Sequence, residues 1–124
     1  MSVFSYRPGD DFGELEFWAF DNPLSDYVIK RGDPKTYGRL DKGGTGYDFR
    51  LGIWRCTEGA IECNELGDEL QSILSGKVRL IQADGSSEVY EAGDSFFTRQ
   101  GDRVTWDVIE DVTKVFYATR DGGF

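Results

Sequence analysis

The 124-residue chain contains no histidine. Without an imidazole there can be no Ser-His-Asp triad, no Cys-His pair and no histidine-ligated metal. Any acid–base chemistry must therefore use Asp, Glu, Lys, Tyr or Cys side chains. This single absence removes most enzyme classes before any motif is considered.

Cysteine and long apolar runs are also scarce. The only two cysteines are Cys56 and Cys63, and in a reducing cytoplasm we expect free thiols rather than a disulfide. No apolar run approaches the roughly 20 residues that span a bilayer. The N-terminal segment lacks a basic region followed by an apolar stretch, so no signal peptide is expected. Together these absences predict a cytoplasmic protein.

Positive charge is in deficit. The chain has 14 Lys and Arg against 23 Asp and Glu, which gives a formal net charge of −9. Phosphate backbones and anionic membrane surfaces repel such a protein. We therefore expect neither nucleic acid nor a membrane as a partner.

Glycine is abundant, and its distribution predicts the fold class. Sixteen glycines separate short apolar runs, a pattern typical of an all-β sandwich or barrel. No long amphipathic helix or internal repeat is evident, and the length fits one domain. The alternation of apolar residues predicts strands at 14–20, 37–42, 47–57, 60–65, 69–74, 77–82, 88–91, 95–98, 103–109 and 112–119.

Residues 1–31 are interpreted as an irregular, aromatic-rich arm, with residues 32–120 as the main domain and 121–124 as a frayed tail. The exposed rings of the arm need a surface to pack on. The outside of the chain's own barrel and a partner subunit are both consistent with this need.

The spacing of glycines and acids resembles the two sequence blocks of the cupin superfamily. Gly59, Glu69 and Gly76 match the first block, and the second is matched by Gly93, Asp94 and Gly101. More narrowly, residues 32–120 resemble small cupins related to the cupin domain of (S)-ureidoglycine aminohydrolase and to the ethanolamine-utilisation cupin. The segments that carry this narrower resemblance are Gly32-Asp33-Pro34, Gly52 to Gly59, Asp68-Glu69, Ile73 to Gly76, Gly93-Asp94 and Thr105-Trp106.

The resemblance implies an RmlC-like jelly-roll barrel, the cupin double-stranded β-helix, and a homodimer. It does not imply the usual metal site of three histidines and a glutamate. The two first-block histidine positions fall on Cys63 and Glu65, the second-block proline falls on Arg99, and the second-block histidine falls on Val104. Only the glutamate, Glu69, remains, so we expect no metal and no cofactor.

The remaining chemistry is expected in a cup around Glu69. Strand alternation places Gln71 inward with Glu69, and Cys63 with Glu65 on the neighbouring strand. We predict a ligand-binding set of Trp54, Cys63, Glu65, Glu69, Gln71, Arg99 and Trp106. Two carboxylates in one cup can share acid and base roles, because repulsion and burial favour a proton on one of them.

Several alternatives stay open for these residues. Glu65 and Glu69 are candidate catalytic residues, or acceptors for an amine-bearing ligand. In a purely structural arrangement, Glu65 would lie in water and Glu69 would bond to backbone or to Arg99 or Arg103. A metal on Cys63, Glu65 and Glu69 would require a mixed set of hard and soft ligands, whereas transition-metal sites usually include imidazoles.

The leading functional hypothesis is a metal-free cupin that binds a small molecule, as an accessory or sensor protein of small nitrogen-compound metabolism. The alternative is an enzyme, either an isomerase or a hydrolase of a small ureido or amine compound, with Glu69 or Glu65 as base. A third class is a structural partner subunit whose cup is filled by side chains.

Overall fold

The computed structural model describes residues 3–124, so the first two residues of the predicted arm lie outside the described part. Within that range the chain forms strands and no helix, which confirms the all-β prediction. The strands are β1 Glu16–Phe17, β2 Val28–Arg31, β3 Thr36–Gly43, β4 Phe49–Cys56, β5 Gly59–Asn64, β6 Asp68–Gln82, β7 Ser87–Glu91, β8 Ser95–Thr98 and β9 Arg103–Thr119.

Two long strands, β6 and β9, pair with each other along most of their length and connect the two halves of one antiparallel nine-stranded sheet. The first half of β9 pairs with β5, and the second half pairs with β4. Likewise β8 pairs with the start of β6, and β7 pairs with its end. One half of the sheet therefore runs β1-β3-β4-β9-β6-β8 and the other half β2-β5-β9-β6-β7, and the two curled halves enclose an interior.

The two halves of the sheet meet at a bend at Gly76, where the register of β6 against β9 shifts. The sequence predicted a break at Ser75-Gly76 and another at Glu110-Asp111, but β6 and β9 continue through both points with shifts in register. Gly76 has φ of 82°, and a Cβ there would lie 2.0 Å from the carbonyl oxygen of Asp111. Only glycine allows two bulged strands to approach so closely.

The strand β2 was not predicted from the sequence, and its residues were assigned to the irregular arm. Its four residues are exposed and show no alternation, yet Ile29 lies opposite Ile61 of β5. Residues 121–124, expected to be frayed, are held by backbone hydrogen bonds. The Phe124 N–H donates to the Tyr47 carbonyl at 2.9 Å.

The arm contacts the chain's own sheet. Trp18 lies over Gly38 of β3, where a Cβ would come within 2.3 Å of the indole. The same indole meets the ring of Phe116 edge-on, with 6.5 Å between centroids. Gly9 N–H donates to the Leu74 carbonyl at 3.0 Å. Packing of the arm on a partner subunit stays a prediction.

The apolar core fills the interior beside β5, β6 and β9. Both thiols are buried in it, and both are free, as predicted. Some core residues also line a cavity next to the core. The buried core residues are Cys56, Ile61, Cys63, Ile73, Val78, Leu80, Val104, Trp106, Val108 and Val112.

Candidate functional site

A cavity of about 180 Å³ opens beside the core, between β4, β5, β6, β9 and the arm. All three tryptophans of the chain line it: Trp18 from the arm, Trp54 from β4 and Trp106 from β9. Its volume is below the range of about 300–1,000 Å³ typical of sites for drug-sized ligands. The cavity therefore suits a small molecule with few non-hydrogen atoms.

A buried ion pair lies at one side of the cavity. The Lys114 Nζ is 3.7 Å from the Glu69 Oε2, and the two residues are only 5% and 7% exposed. Lys114 also donates a hydrogen bond to the Gln71 Oε1. The Gln71 amide donates in turn to the Thr98 Oγ1 at 2.9 Å. These bonds compensate the cost of burying both charges.

Aromatic faces surround the Lys114 ammonium. Its Nζ lies 4.6 Å from the ring centroid of Trp54, 4.3 Å from that of Trp106 and 5.8 Å from that of Phe116. The negative face of an aromatic ring attracts a cation at such distances. These rings and Glu69 therefore fix the ammonium in one place inside the barrel.

Glu65 provides a second carboxyl at the cavity. The Trp106 Nε1 donates to its Oε1 at 3.1 Å. Burial, followed by the charge of Glu69, raises the pKa of Glu65 to about 7, and the Lys114 charge opposes the increase. Glu65 is therefore able to exchange a proton near neutral pH.

Cys63 lies between the core and the cavity as a neutral thiol. Burial, with a further contribution from the charge of Glu65, raises its pKa well above the ordinary value. A thiolate is therefore disfavoured, and Cys63 contributes to the site as a small apolar wall.

The sequence and structure of this region match a known family. Residues 44–116, more than half of the chain, match the family model described as the EutQ-like cupin domain. The chain belongs to the EutQ-like cupin family. A comparison with curated proteins gave no match.

Solved structures show the same cupin fold. The Clostridium difficile EutQ protein aligns with a TM-score of 0.62 and 14% identity, over 75% of this chain and 80% of that one. A cupin-like protein from Thermotoga maritima aligns with a TM-score of 0.66 and 10% identity, over 91% and 84%. A Pseudomonas syringae protein of unknown function aligns with a TM-score of 0.70 and 24% identity, over 89% of this chain and 46% of that one.

The cupin barrel brings together most of the predicted site residues. Trp54, Cys63, Glu65, Glu69 and Trp106 all line the cavity. Gln71 is fully buried and reaches the cavity only through its contact with Lys114. These positions confirm the inward orientation expected from strand alternation.

Arg99 lies outside the cavity, contrary to its expected position. Arg99 comes directly after β8 in the chain. Its Nε lies 3.5 Å from the Asp102 Oδ2, and 76% of its side chain is exposed. The turn between β8 and β9 holds it there, because the Arg99 N–H also donates to the Asp102 carboxylate at 3.0 Å. Arg103 likewise pairs with Glu62 at 2.7 Å, so neither arginine reaches Glu69.

Sequence reasoning missed two cations of this cupin, Lys114 and Arg50. Lys114 lies among the inward apolar positions of β9, between Val112 and Phe116, which is an unusual position for a lysine in a half-buried strand. Arg50 shares its face of β4 with Trp54, so placing Trp54 inward could have found it. Both side chains line the cavity.

The residues present do not fit the metal ion that a cupin barrel usually holds. Across residues 3–124, no group of three or more His, Cys, Asp or Glu side chains is arranged to hold a metal. The Lys114 ammonium occupies the position beside Glu69, and its charge opposes that of a metal cation. Protonated Cys63 adds no thiolate ligand.

Residues 3–124 also contain no helix of the length and apolarity needed to cross a membrane.

Proposed function

We propose that this cupin binds a small molecule in the cavity around Glu69 without a metal ion. The observation that carries the proposal is the Lys114 ammonium 3.7 Å from Glu69 inside an aromatic-walled cavity. A fixed ion pair beside Trp54 and Trp106 offers a donor, an acceptor and stacking faces to one ligand. The role that fits this site is an accessory or sensor protein of small nitrogen-compound metabolism.

The open cavity argues against a purely structural subunit. That alternative requires the cup to be filled by side chains, whereas about 180 Å³ remains free within the barrel. Charged residues that are costly to bury line this space. A chain selected only for packing would gain more from an apolar filling.

Ligand binding can be tested through the three tryptophans, since all of them line the cavity. We expect compounds from a panel of small amines, ureides and carboxylates to change tryptophan fluorescence and to raise the melting temperature. The double variant Glu69→Gln, Lys114→Met removes the ion pair without changing the net charge of the cavity and should lose this response. Glu16→Gln on the exposed strand β1 is the matched control. A panel without any response from the native protein would refute the proposal.

A second candidate function is acid–base catalysis by Glu65 and Glu69. The observation that favours it is the pKa of Glu65, raised to about 7 by burial and by the charge of Glu69. Glu65 holds a proton and can act as the acid, whereas Glu69 is ionised beside Lys114 and can act as the base. The expected chemistry is isomerisation or hydrolysis of a small ureido or amine compound.

Turnover distinguishes catalysis from binding. If the cupin is an enzyme, Glu65→Gln should abolish turnover of a bound ureido or amine compound while leaving its binding within a few fold. The pH profile of native turnover should bend near pH 7. Full activity in Glu65→Gln would exclude Glu65 as the acid or base.

We also propose that two copies of the chain pair through an apolar stripe on the outer face of the sheet. Phe97 lies opposite Leu70, and Leu70 lies opposite Tyr117. The Tyr117 ring continues to those of Phe49 and Tyr47, at 6.1 Å and then 5.6 Å between centroids. Phe97, Leu70, Tyr117 and Tyr47 are each about half exposed.

The area of the stripe suits a second copy. Half of each of these large side chains amounts to about 400 Å² of apolar surface in each copy. A standard interface takes about 800 Å² from each partner, with an apolar centre and a polar rim. A two-fold axis would let the stripe cover itself.

Light scattering tests this pairing. We expect a dimer mass for the native protein and a monomer mass for Leu70→Asp. Val89→Asp, on the exposed part of β7, should remain a dimer. A native protein that is monomeric at micromolar concentration would refute the pairing.

A further inference from the structure

Arg50 is a partly buried cation of the cavity whose hydrogen bonding is incomplete. It lines the cavity from β4, and its Nε is a buried donor without an acceptor in residues 3–124. Arg50 takes part in no ion pair within that range, since Glu69 is paired with Lys114 instead. A buried donor without a partner is costly and rare in native proteins. The Nε itself is enclosed, and the terminal N–H groups of the same guanidinium, which have no acceptor within residues 3–124, are the donors available to a ligand.

Two aromatic rings hold the Arg50 guanidinium. Its central carbon lies 4.3 Å from the ring centroid of Phe124 and 5.6 Å from that of Phe116. Aromatic faces attract the planar cation but accept none of its hydrogen bonds. Phe124 is itself fixed by its backbone bonds to Gly46 and Tyr47. The rings thus fix the orientation of the guanidinium and leave its N–H groups free.

The charges around the cavity favour an anion. Arg50 and Lys114 are positive, and Glu69 compensates one of them. Glu65 is the remaining carboxyl, and its proton is retained below about pH 7. The neutral thiol of Cys63 adds no charge. With Glu65 protonated the site keeps one uncompensated positive charge, which one carboxylate would neutralise.

We propose that Arg50 binds the carboxylate of the ligand, so the cavity takes a small organic monoanion. This inference rests on the proposed binding function and names the class of ligand. A guanidinium presents parallel N–H groups that match the two oxygens of a carboxylate. The cavity of about 180 Å³ limits the remainder of the ligand to a few atoms.

Two pairs of compounds with the same shape test the charge preference. Propionate and propionamide, and glycolate and glycolamide, would be titrated against the indole N–H signals of the three tryptophans, which all line the cavity. We expect each carboxylate to bind about 10- to 100-fold more tightly than its amide, since a charge-assisted pair is lost in the amide. Equal or tighter binding of the amides would overturn the inference.

Variants assign the preference to Arg50. Arg50→Gln should remove it, and Arg50→Lys, which keeps the charge without the fork, should retain only part of it. Arg99→Gln, an exposed arginine outside the cavity, is the matched control and should bind as the native protein does. Phe124→Ala should weaken carboxylate binding about 3- to 10-fold through loss of the stacked ring.

The outcomes separate this inference from the proposed function. Equal binding of the carboxylates and their amides by the native protein would overturn the carboxylate site while supporting a binding cavity. Retention of the full carboxylate preference in both Arg50 variants would do the same. Absence of any response from all four compounds would count against both.

Discussion

The raised pKa of Glu65 predicts a specific dependence of stability on pH. Its pKa is about 7 in the folded chain against an ordinary value of 4.5. Between these two values the unfolded chain releases a proton that the folded chain retains, so the free energy of unfolding falls as the pH rises. At 1.36 kcal/mol per pH unit, the full loss attributable to Glu65 is about 3 kcal/mol, complete above about pH 7.

Replacing Glu65 with Gln isolates this contribution. Gln resembles the protonated acid and can still accept from the Trp106 Nε1, so Glu65→Gln should match the native stability near pH 4.5. By pH 8 the variant should be more stable than the native protein by about 3 kcal/mol. The other titrating groups are common to both proteins, so their contributions cancel in the difference.

Urea unfolding followed by tryptophan fluorescence at several pH values measures this difference. Glu16→Gln, on the exposed strand β1, is the matched control and should follow the native curve. Glu69→Gln should reduce the change in the free energy of unfolding with pH, because the charge of Glu69 helps to raise the pKa of Glu65. A difference between native protein and Glu65→Gln that stays constant from pH 4.5 to 8 would refute the reasoning.

Two further substitutions test the bend and the buried ion pair. Gly76→Ala combines a φ of 82° with a contact of 2.0 Å to the Asp111 carbonyl oxygen and should lose about 3 kcal/mol or more of stability to urea. Gly93→Ala, with φ of 96° and open space around the added methyl group, should lose only about 1–2 kcal/mol, and equal losses would contradict the proposed clash. Lys114→Met leaves Glu69 buried without its cation and should cost about 3–5 kcal/mol, most of which Glu69→Gln should restore. If the stability of Lys114→Met equals that of the native protein, the ion pair is not needed for folding.

Alternation predicted the strands that have one apolar face, and with them the inward position of Glu69. It failed at β2, where four exposed residues pair only along the edge of β5. It also divided β6 and β9, because Ser75-Gly76 and Glu110-Asp111 have the composition of turns. A bulge inside a long strand uses the same residues as a turn, so the local sequence does not separate the two.

The cations of the site were harder to predict than its carboxylates. A lysine within a strand is usually solvent-exposed, and the groups that hold Lys114 lie far away in sequence, since Gln71 is 43 positions from it. Arg50 depends in the same way on the ring of Phe124, in a tail expected to be frayed. Such long-range contacts are set by the closure of the barrel and have no local signal.

The position of Lys114 explains how a side chain of this barrel compensates a buried glutamate. A carboxylate as buried as Glu69 requires a compensating cation, and an ammonium on the central strand β9 supplies one that cannot dissociate. That pair is neutral, so the second carboxyl, Glu65, is left without a cation and holds its proton until about pH 7. Arg50 is then left without an anion. A cavity with one spare cation and one carboxyl that can lose a proton is able to admit a carboxylate, and also to release it when Glu65 ionises. We therefore expect affinity for small carboxylates to decrease as the pH rises through 7.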